Sequence, residues 1–144
     1  MAELIPCLSL WQPWGSLLLD GVKFHETRSW PAPPKVIGRR FVIQAAKRKV
    51  HRLHVPVPVE SVCLNQLGTR WGELPKGVAL GTALLVGCEQ MPMAKPESPV
   101  DLLCGDWTPG RYAWRFEDRI AFPEPIPLRG RQGIFYEKAE RFGL

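Results

Sequence analysis

The apolar positions near the start of the chain form a strand pattern that passes directly into a helix pattern. Residues 4–10, LIPCLSL, are almost entirely apolar, and this short run predicts a first strand over Leu4–Leu10. Trp14, Leu17 and Leu18 then recur at three- and four-residue spacing, as on one face of a helix. The sequence therefore predicts a strand followed by a short helix.

Proline and glycine mark the two ends of this predicted helix. We expect Gln12 to lie at its start and Pro13 to take the first helical position, where a missing N–H costs nothing. Gly21 can supply the left-handed residue that ends a helix. A second strand, rich in charged residues, should follow directly after Gly21.

Further apolar and alternating runs predict the remaining strands. The alternation is clearest at Tyr112, Trp114 and Phe116, which should share one face of a half-buried strand. Gly81 and Gly87 interrupt the longest apolar run and predict bends there. After the charged strand, the predicted strands cover residues 39–46, 77–90, 111–117 and 134–137, and residues 119–122 continue the third of these after a bend or bulge.

The remaining segments read as one more helix and several connections. An apolar stripe predicts a helix over residues 59–67, ending at Gly68. Residues 91–109 are expected to form a loop, and residues 123–127 a stiff link. The whole pattern predicts one α+β domain over residues 1–144, with a barrel-like mixed sheet of five or six short strands and two or three packed helices.

Composition narrows the class of protein. The chain has 144 residues, which is enough for one domain with one core. No apolar run reaches the roughly 18–20 residues needed to cross a bilayer, and no secretion signal is visible. We therefore expect an intracellular protein, cytoplasmic or nuclear, with no membrane contact and with its four cysteines reduced. Nothing in the sequence indicates an oligomer, so we assume a monomer.

Three closely spaced charged residues follow Gly21, in the pattern Gly-x-Lys-x-x-Glu-x-Arg. On a regular strand Glu26, Arg28 and Trp30 share one face, whereas Lys23 falls on the other unless the glycine turn re-aims it. Lys23 and Arg28 could hold anionic or carbonyl oxygens while Glu26 accepts hydrogen bonds from a base edge and orients the cations. The alternative is a surface pair worth ~0–1 kcal/mol.

Two tryptophans near the predicted helix could stack on a base, because every base has a π-face. Trp11 and Trp14 flank Gln12 and Pro13. Trp14 lies on the apolar helix face, so we expect it in the core and leave Trp11 open. Trp30 shares a strand face with the charged residues and is the second stacking candidate.

Basic residues cluster in two other places and suit a polyanion, in keeping with a net charge of +5 and a pI near 9.3. Either cluster could contact phosphate, and either could be a solvated loop or plain turn. The first cluster comprises Arg39, Arg40, Lys47, Arg48, Lys49 and Arg52, and the second comprises Arg129 and Arg131 around Gly130.

Two further side-chain pairs are weaker candidates for chemistry. His51 and His54 have a spacing that suits a metal on a helix, but the nearby valine–proline alternation disfavours a helix there. Cys104 and Asp106 lack a partner histidine that could activate the thiol as a nucleophile. The sequence therefore predicts no metal and no cofactor.

The stretch CLSLWQPWGSLLLDGVKFHETRSW, with Gln-Pro-Trp followed by Gly-x-Lys-x-x-Glu-x-Arg, resembles the opening of the ASCH domain family. The resemblance implies a PUA-like fold, a re-aimed Lys23, and a cleft facing nucleic acid or a nucleotide. We accordingly expect RNA or DNA as the partner. The candidate nucleic-acid-binding residues are Trp11, Gln12, Pro13, Lys23, Glu26, Arg28, Trp30, Lys47, Arg48, Arg129 and Arg131.

The same resemblance leaves two other functions open. Some small bacterial ASCH-like proteins are amidohydrolases that act on acylated cytidine, using a lysine and a threonine nucleophile. Here Lys23 would match the lysine and Glu26 stands at the threonine position, while Thr27 should point the other way along the strand. A Lys23–Glu26 pair could still act on a bound water. A protein-interaction module of a transcription coactivator is the third possibility and predicts an exposed apolar patch.

Overall fold

A six-stranded mixed sheet carries three short helices in the computed structural model, which describes residues 3–49, 51 and 54–144. The α+β class and the strand count expected from the sequence are confirmed. The strands are, in chain order, β1 (Leu4–Leu10), β2 (His25–Arg28), β3 (Arg40–Ala45), β4 (Val78–Gln90), β5 (Tyr112–Pro127) and β6 (Ile134–Lys138).

The strands lie in the order β2-β5-β4-β3-β1-β6. β1 and β3 are parallel, with Cys7 opposite Val42, and every other neighbouring pair is antiparallel. A parallel pair needs a long crossover, and here the crossover contains the first helix, β2 and a proline-rich segment. The first helix and the charged strand therefore lie within a single crossover connection.

The sheet is open, so the predicted closure into a barrel is wrong in that respect. β1 pairs with β3 on one side and β6 on the other, which leaves it no free edge for β2. A side chain makes the approach instead, since Arg28 Nη2 on β2 donates to the Ser9 carbonyl on β1 at 2.9 Å. Arg28 thus connects the edge strand β2 to β1, the strand next to the opposite edge strand β6.

Glycine allows the two longest strands to pass close together. The β4–β5 register shifts near Gly81 and Gly87, as expected for bends at those positions. A Cβ on Gly81 would lie 2.3 Å from the Ile120 carbonyl oxygen, which only glycine avoids. β5 continues through residues 123–127, which were expected to form a link, and Asp118 takes φ 48° at the bend.

The helices are α1 (Trp14–Leu19), α2 (Val57–Val62) and α3 (Pro99–Leu103). α2 continues as a π-helical turn, Cys63–Leu67, and ends at Gly68 with φ 67°, so the helix predicted over residues 59–67 is present and begins two residues earlier. Short 3-10 turns cover Pro34–Val36, Trp71–Glu73 and Ala139–Phe142.

Helix α3 lies within residues 91–109, where the sequence analysis expected only a loop. Its signal is local: Ser98 precedes Pro99 at the first helical position, and Asp101 follows in the first turn. The Ser98 hydroxyl accepts the Asp101 N–H at 3.0 Å and caps the helix. The other prolines around it obscured this short pattern.

The core lies on both faces of the sheet. Consecutive residues Phe41 and Val42 of β3 point in opposite directions and belong to separate buried clusters. Trp114 and Phe116 are buried beside Phe41, which confirms the predicted buried face of β5. A third cluster lies where α1, α2 and the end of α3 meet.

The described residues bear on three expectations, which concern the cysteines, a metal site and a membrane-spanning helix. All four cysteines are free thiols, and three of them are buried. Among the described residues, no three His, Cys, Asp or Glu side chains are grouped so that they could hold a metal ion. The same part of the chain contains no helix with the length and hydrophobicity that crossing a membrane requires.

Candidate functional site

The side chain of Gln12 fixes the start of α1 through three hydrogen bonds. Its side-chain Nε2 donates to the Ser16 hydroxyl at 2.7 Å and to the Pro75 carbonyl at 2.9 Å, while its Oε1 accepts the Ser16 N–H at 3.0 Å. Gln12 is only 2% exposed, and Pro13 beside it is also buried. The helix begins at Trp14, one residue later than expected, so Gln12 and Pro13 belong to the scaffold of the turn.

The turn at Gly21 sends the chain into the site. Gly21 adopts φ 85°, as its predicted role at the helix end requires. The next two backbone N–H groups, of Val22 and Lys23, both donate to the Leu17 carbonyl at 3.1 Å. This tight turn re-aims Lys23 before β2 begins, as the family resemblance implies.

Lys23 is 2% exposed, which is unusual for a lysine. Its Nζ lies 2.9 Å from Glu26 Oε1 and donates to the Cys104 carbonyl at 2.8 Å. The Trp14 ring centroid lies 5.6 Å from the same nitrogen, within cation–π range. An ammonium has three N–H donors, so with respect to the described residues one N–H remains for a ligand.

Glu26 holds both cations of the motif. Its Oε2 accepts a hydrogen bond from Arg28 Nε at 3.0 Å, while Oε1 faces Lys23. Burial alone would raise the pKa of Glu26, but the charges of Lys23 and Arg28 and their hydrogen bonds outweigh it, so this pKa lies below its usual value. The carboxylate is therefore ionised at neutral pH, and the three groups together carry a net charge of +1.

Asp101 on α3 attaches the opposite wall of the site to β2. The residue is 1% exposed, and its carboxylate accepts the Phe24 N–H at 2.8 Å, the Glu97 N–H at 2.9 Å and a hydrogen bond from His25 Nδ1 at 2.8 Å. Burial raises its pKa, but these hydrogen bonds outweigh burial and hold the pKa below its usual value. Sequence analysis missed this residue because it missed α3.

These elements enclose a hollow of about 310 Å³, which we call the motif hollow. Its lining includes Trp14, Lys23, Glu26, Thr27, Cys104 and Asp106. Thr27 was expected to point away from Glu26, yet it lines the same hollow, because its hydroxyl accepts the Asp106 N–H of the opposite wall at 3.0 Å. Burial raises the pKa of the Cys104 thiol to about 11, so at neutral pH that thiol is protonated and unreactive.

A second hollow, of about 740 Å³, opens between β1, β3 and the turn before β6, and we call it the basic hollow. It brings Lys47 and Arg48 of the first basic cluster together with Arg129 and Arg131 of the second. Trp11, 43% exposed, carries the Arg48 guanidinium 5.3 Å from its ring centroid. The predicted binding residues that line this hollow are Trp11, Lys47, Arg48, Arg129 and Arg131, and Arg141 joins them.

Other predicted residues lie elsewhere. Trp30 packs edge-to-face on Trp114 with ring centroids 4.8 Å apart, so this second stacking candidate contacts the core and lines neither hollow. Arg39 donates to the Leu4 carbonyl at 3.0 Å, and Arg40 pairs with Asp118, which separates both from the predicted phosphate stripe. Arg52, also placed in that stripe, lies outside the described residues.

Comparison with known proteins agrees with this architecture. The sequence matches the model of the ASCH domain over residues 8–138, which is most of the chain. Activating signal cointegrator 1 is 31% identical over 94 residues in Homo sapiens and 32% identical over 100 residues in Mus musculus. These matches cover 65% and 64% of this chain but only 16% and 17% of the relatives, so the chain spans less than a fifth of their length.

Solved structures support the fold independently. The crystal structure of ASCH from Zymomonas mobilis has a TM-score of 0.56 at 16% identity, covering 94% of this chain and 89% of that one. A mutant of the same protein gives a TM-score of 0.55 at 17% identity, with the same coverage. The family match, the motif geometry and the shared architecture lead to one conclusion: this chain belongs to the ASCH domain family.

Proposed function

We propose that this chain is a nucleic-acid-binding module whose motif hollow holds one nucleotide of a single-stranded or flipped-out region of RNA or DNA. The observation that carries the proposal is the buried Lys23 ammonium, fixed by Glu26 and Cys104 with one N–H left at the hollow. A buried, oriented cation at a cavity wall suits an anionic or carbonyl oxygen, since charge-assisted hydrogen bonds are short and strong.

The walls of the motif hollow fit the other parts of a nucleotide. Trp14 packs against the core, as expected, and its half-buried ring lines the hollow beside the ammonium, which gives a base an apolar wall. Glu26 and Asp106 offer carboxylate oxygens that can accept amino or hydroxyl hydrogens. A volume of about 310 Å³ is at the small end of ligand pockets, which favours one nucleotide unit over a longer segment.

Arg28 and Glu26 act in this proposal mainly by positioning Lys23. Glu26 contacts both cations, and Arg28 is fixed in turn by the Ser9 carbonyl. Because the Glu26 carboxylate stays ionised at neutral pH, it accepts hydrogen bonds from Lys23 and Arg28 and donates no proton to a ligand. This arrangement favours recognition of a ligand oxygen.

The test is the affinity for single-stranded oligonucleotides, measured by fluorescence anisotropy across a range of salt concentrations. A hydrogen bond to a charged group contributes about 1.5–3 kcal/mol, so Lys23→Ala should weaken binding roughly 10- to 150-fold. Arg70→Ala is the matched control, because Arg70 is exposed and lines a different hollow. Equal affinities for the two variants, or no wild-type binding at low salt, would contradict the proposal.

A hydrolytic role is the second candidate, because Thr27 lines the same hollow as Lys23 and Glu26. The Thr27 hydroxyl accepts a hydrogen bond from the backbone of Asp106, and no side-chain base among the described residues contacts it. We therefore expect no release of cytidine from an acylated cytidine nucleoside. Turnover that disappears in Thr27→Val would establish the enzyme instead of the binding module.

A further inference from the structure

The basic hollow has a one-sided charge distribution. Among the described residues, five cationic side chains line it and no carboxylate does. Lys47, Arg129 and Arg131 are exposed and form no ion pair within the described part of the chain. Arg141 is partly neutralised by Glu137 at 3.4 Å. Four cations therefore face this hollow without an acidic partner.

Two polar side chains, Ser9 of β1 and Gln44 of β3, form what we call the floor of the basic hollow. The two residues are direct partners in the parallel ladder and lie side by side. Gln44 is 0% exposed, and its Nε2 donates to the Leu128 carbonyl at 2.8 Å, which anchors the turn that carries Arg129. Gln44 Oε1 and Ser9 Oγ, by contrast, are buried and have no hydrogen-bond partner.

Unpartnered buried oxygens are uncommon, because each forfeits the hydrogen bonds it had in water. Both oxygens lie directly beneath Gly130, whose Cβ, were there one, would stand 2.6 Å from Gln44 Oε1 and 2.7 Å from Ser9 Oγ. A Cβ here would press on the ends of these two side chains, so glycine lets the turn between the two arginines rest directly on the floor.

Arg28 links this floor to the motif hollow. Its Nη2 donates to the Ser9 carbonyl at 2.9 Å, and its Nε donates to Glu26 at 3.0 Å. Trp11, at the edge of the basic hollow, is separated from Trp14 of the motif hollow by only two residues. One extended ligand could therefore contact both hollows.

We propose that the basic hollow is a second subsite for the same single strand whose nucleotide occupies the motif hollow. The neighbouring phosphates contact Arg129, Arg131 and Lys47, and the adjacent base stacks on Trp11. The floor holds the turn that presents Arg129 and Arg131 to these phosphates. The inference rests on the proposed function and adds to it the phosphate contacts and a minimum ligand of two nucleotides.

A single-stranded oligonucleotide fits these features better than an acidic peptide. Guanidinium groups pair with phosphate through two parallel hydrogen bonds, and an exposed indole offers a stacking face to any base. A peptide carboxylate would satisfy the cations but would leave Trp11 without a planar partner. The experiment therefore compares an oligonucleotide with an acidic peptide as competitors.

The experiment measures the salt dependence of oligonucleotide binding by the full chain. Each phosphate contact on a single strand contributes about 0.7 to the slope of log affinity against log salt. Arg129→Gln with Arg131→Gln should therefore reduce the slope by about 1.4. Lys35→Gln with Arg70→Gln removes the same charge from exposed positions outside the hollow and should leave the slope unchanged.

Two further variants address the other contacts. Trp11→Ala should weaken binding about 5- to 150-fold, the range of one base–aromatic stack, with little change in slope. Gly130→Ala should also weaken binding, because the added Cβ collides with the floor and displaces the turn. Thermal unfolding of each variant identifies any loss that arises from misfolding, and the exposed arginine pair keeps the test valid if Gly130→Ala unfolds.

The outcomes separate this inference from the proposed function. A lower slope in the arginine pair alone, with loss of affinity in Trp11→Ala, supports the second subsite. Unchanged slope in that pair while Lys23→Ala still loses affinity overturns the subsite and leaves the proposed function standing. Absence of wild-type binding at low salt overturns both. Competition by poly-glutamate as strong as by an oligonucleotide of equal charge also overturns the subsite.

Discussion

The motif hollow and the basic hollow use positive charge in opposite ways. In the motif hollow, Lys23 is buried and tied to Glu26 and Cys104, so its position is fixed before any ligand arrives. In the basic hollow, Arg129 and Arg131 are exposed and unpaired within the described residues. Fixed charge supplies geometry, whereas exposed charge supplies long-range attraction that salt screens. The position and the partners of a cation, more than the number of charges nearby, therefore decide what it contributes.

Removing the anchor of the opposite wall should break the motif hollow most completely. Asp101→Ala leaves the buried His25 ring and the partly buried N–H groups of Phe24 and Glu97 without their acceptor, and a buried donor without a partner costs about 1–3 kcal/mol. We expect a loss of about 3–5 kcal/mol in the free energy of unfolding, measured by chemical denaturation. Asp101→Asn keeps one acceptor oxygen and should lose less. Equal stability of Asp101→Ala and wild type would show that the wall is held in some other way.

Neutralising the centre of the motif should have the next largest effect. Glu26→Gln keeps the shape but leaves Lys23 and Arg28 without their counter-charge, and we expect a loss of about 1.5–3 kcal/mol of stability. Arg129→Gln in the basic hollow breaks no ion pair among the described residues and is the matched control. A similar loss in both variants would remove the distinction between the two hollows.

The lowered pKa of the Glu26 carboxylate predicts that the stability of the fold depends on pH. The pKa of Glu26 is lower in the folded chain than its ordinary value of about 4.3, so its ionised form stabilises folding. That contribution is fully present above pH ~4.3 and disappears as the pH falls through the lower folded value. Acid titration of stability should therefore be shallower in Glu26→Gln than in wild type. Identical titrations would place the lowered pKa in doubt.

Losing the cap of α3 should have a smaller effect on the motif hollow. Ser98→Ala removes the hydroxyl that accepts the Asp101 N–H, and N-cap replacements typically cost about 1 kcal/mol. Thermal unfolding should show this loss, with oligonucleotide binding reduced only in proportion. Thr69→Ala is the control, because its hydroxyl also bonds a nearby residue, the Leu67 carbonyl, and Thr69 lies outside the helix cap and both hollows.

Separating Arg48 from Trp11 should have the smallest effect. Arg48→Ala removes an exposed cation–π contact worth about 0.5–1 kcal/mol, so the stability should hardly change. The salt dependence of oligonucleotide binding should fall by about 0.7 if Arg48 also contacts a phosphate. A large loss of stability would mean that Arg48 supports the fold.

Local patterns predicted those parts of the fold that local chemistry determines. β1 has the predicted bounds, Gly21 ends α1 in the left-handed conformation, and Trp114 and Phe116 occupy one buried face. Local patterns do not reveal which strands pair when the strands are distant in the sequence. The sheet could therefore be predicted as mixed but not as open. β1 is paired on both edges, and no residue of β1 itself reveals that.

The contacts within the motif were predictable in part, because its residues are close in the sequence. Lys23, Glu26 and Arg28 form one hydrogen-bonded group, although strand spacing alone placed Lys23 on the other face and only the family resemblance implied that the glycine turn re-aims it. Asp101 and the Cys104 carbonyl come from a distant helix, and their contribution depends on tertiary packing. The same limit applies to Trp30: its strand face suggested a stacking surface, but only the fold shows that Trp114 covers it.

The most direct test of the central claim is a crystal structure of the chain with a short single-stranded oligonucleotide. The account predicts a ligand oxygen within hydrogen-bonding distance of Lys23 Nζ, in the motif hollow, with the adjoining phosphate near Arg129 and Arg131. An oligonucleotide seated on another surface, with Lys23 contacting only Glu26 and Cys104, would contradict it.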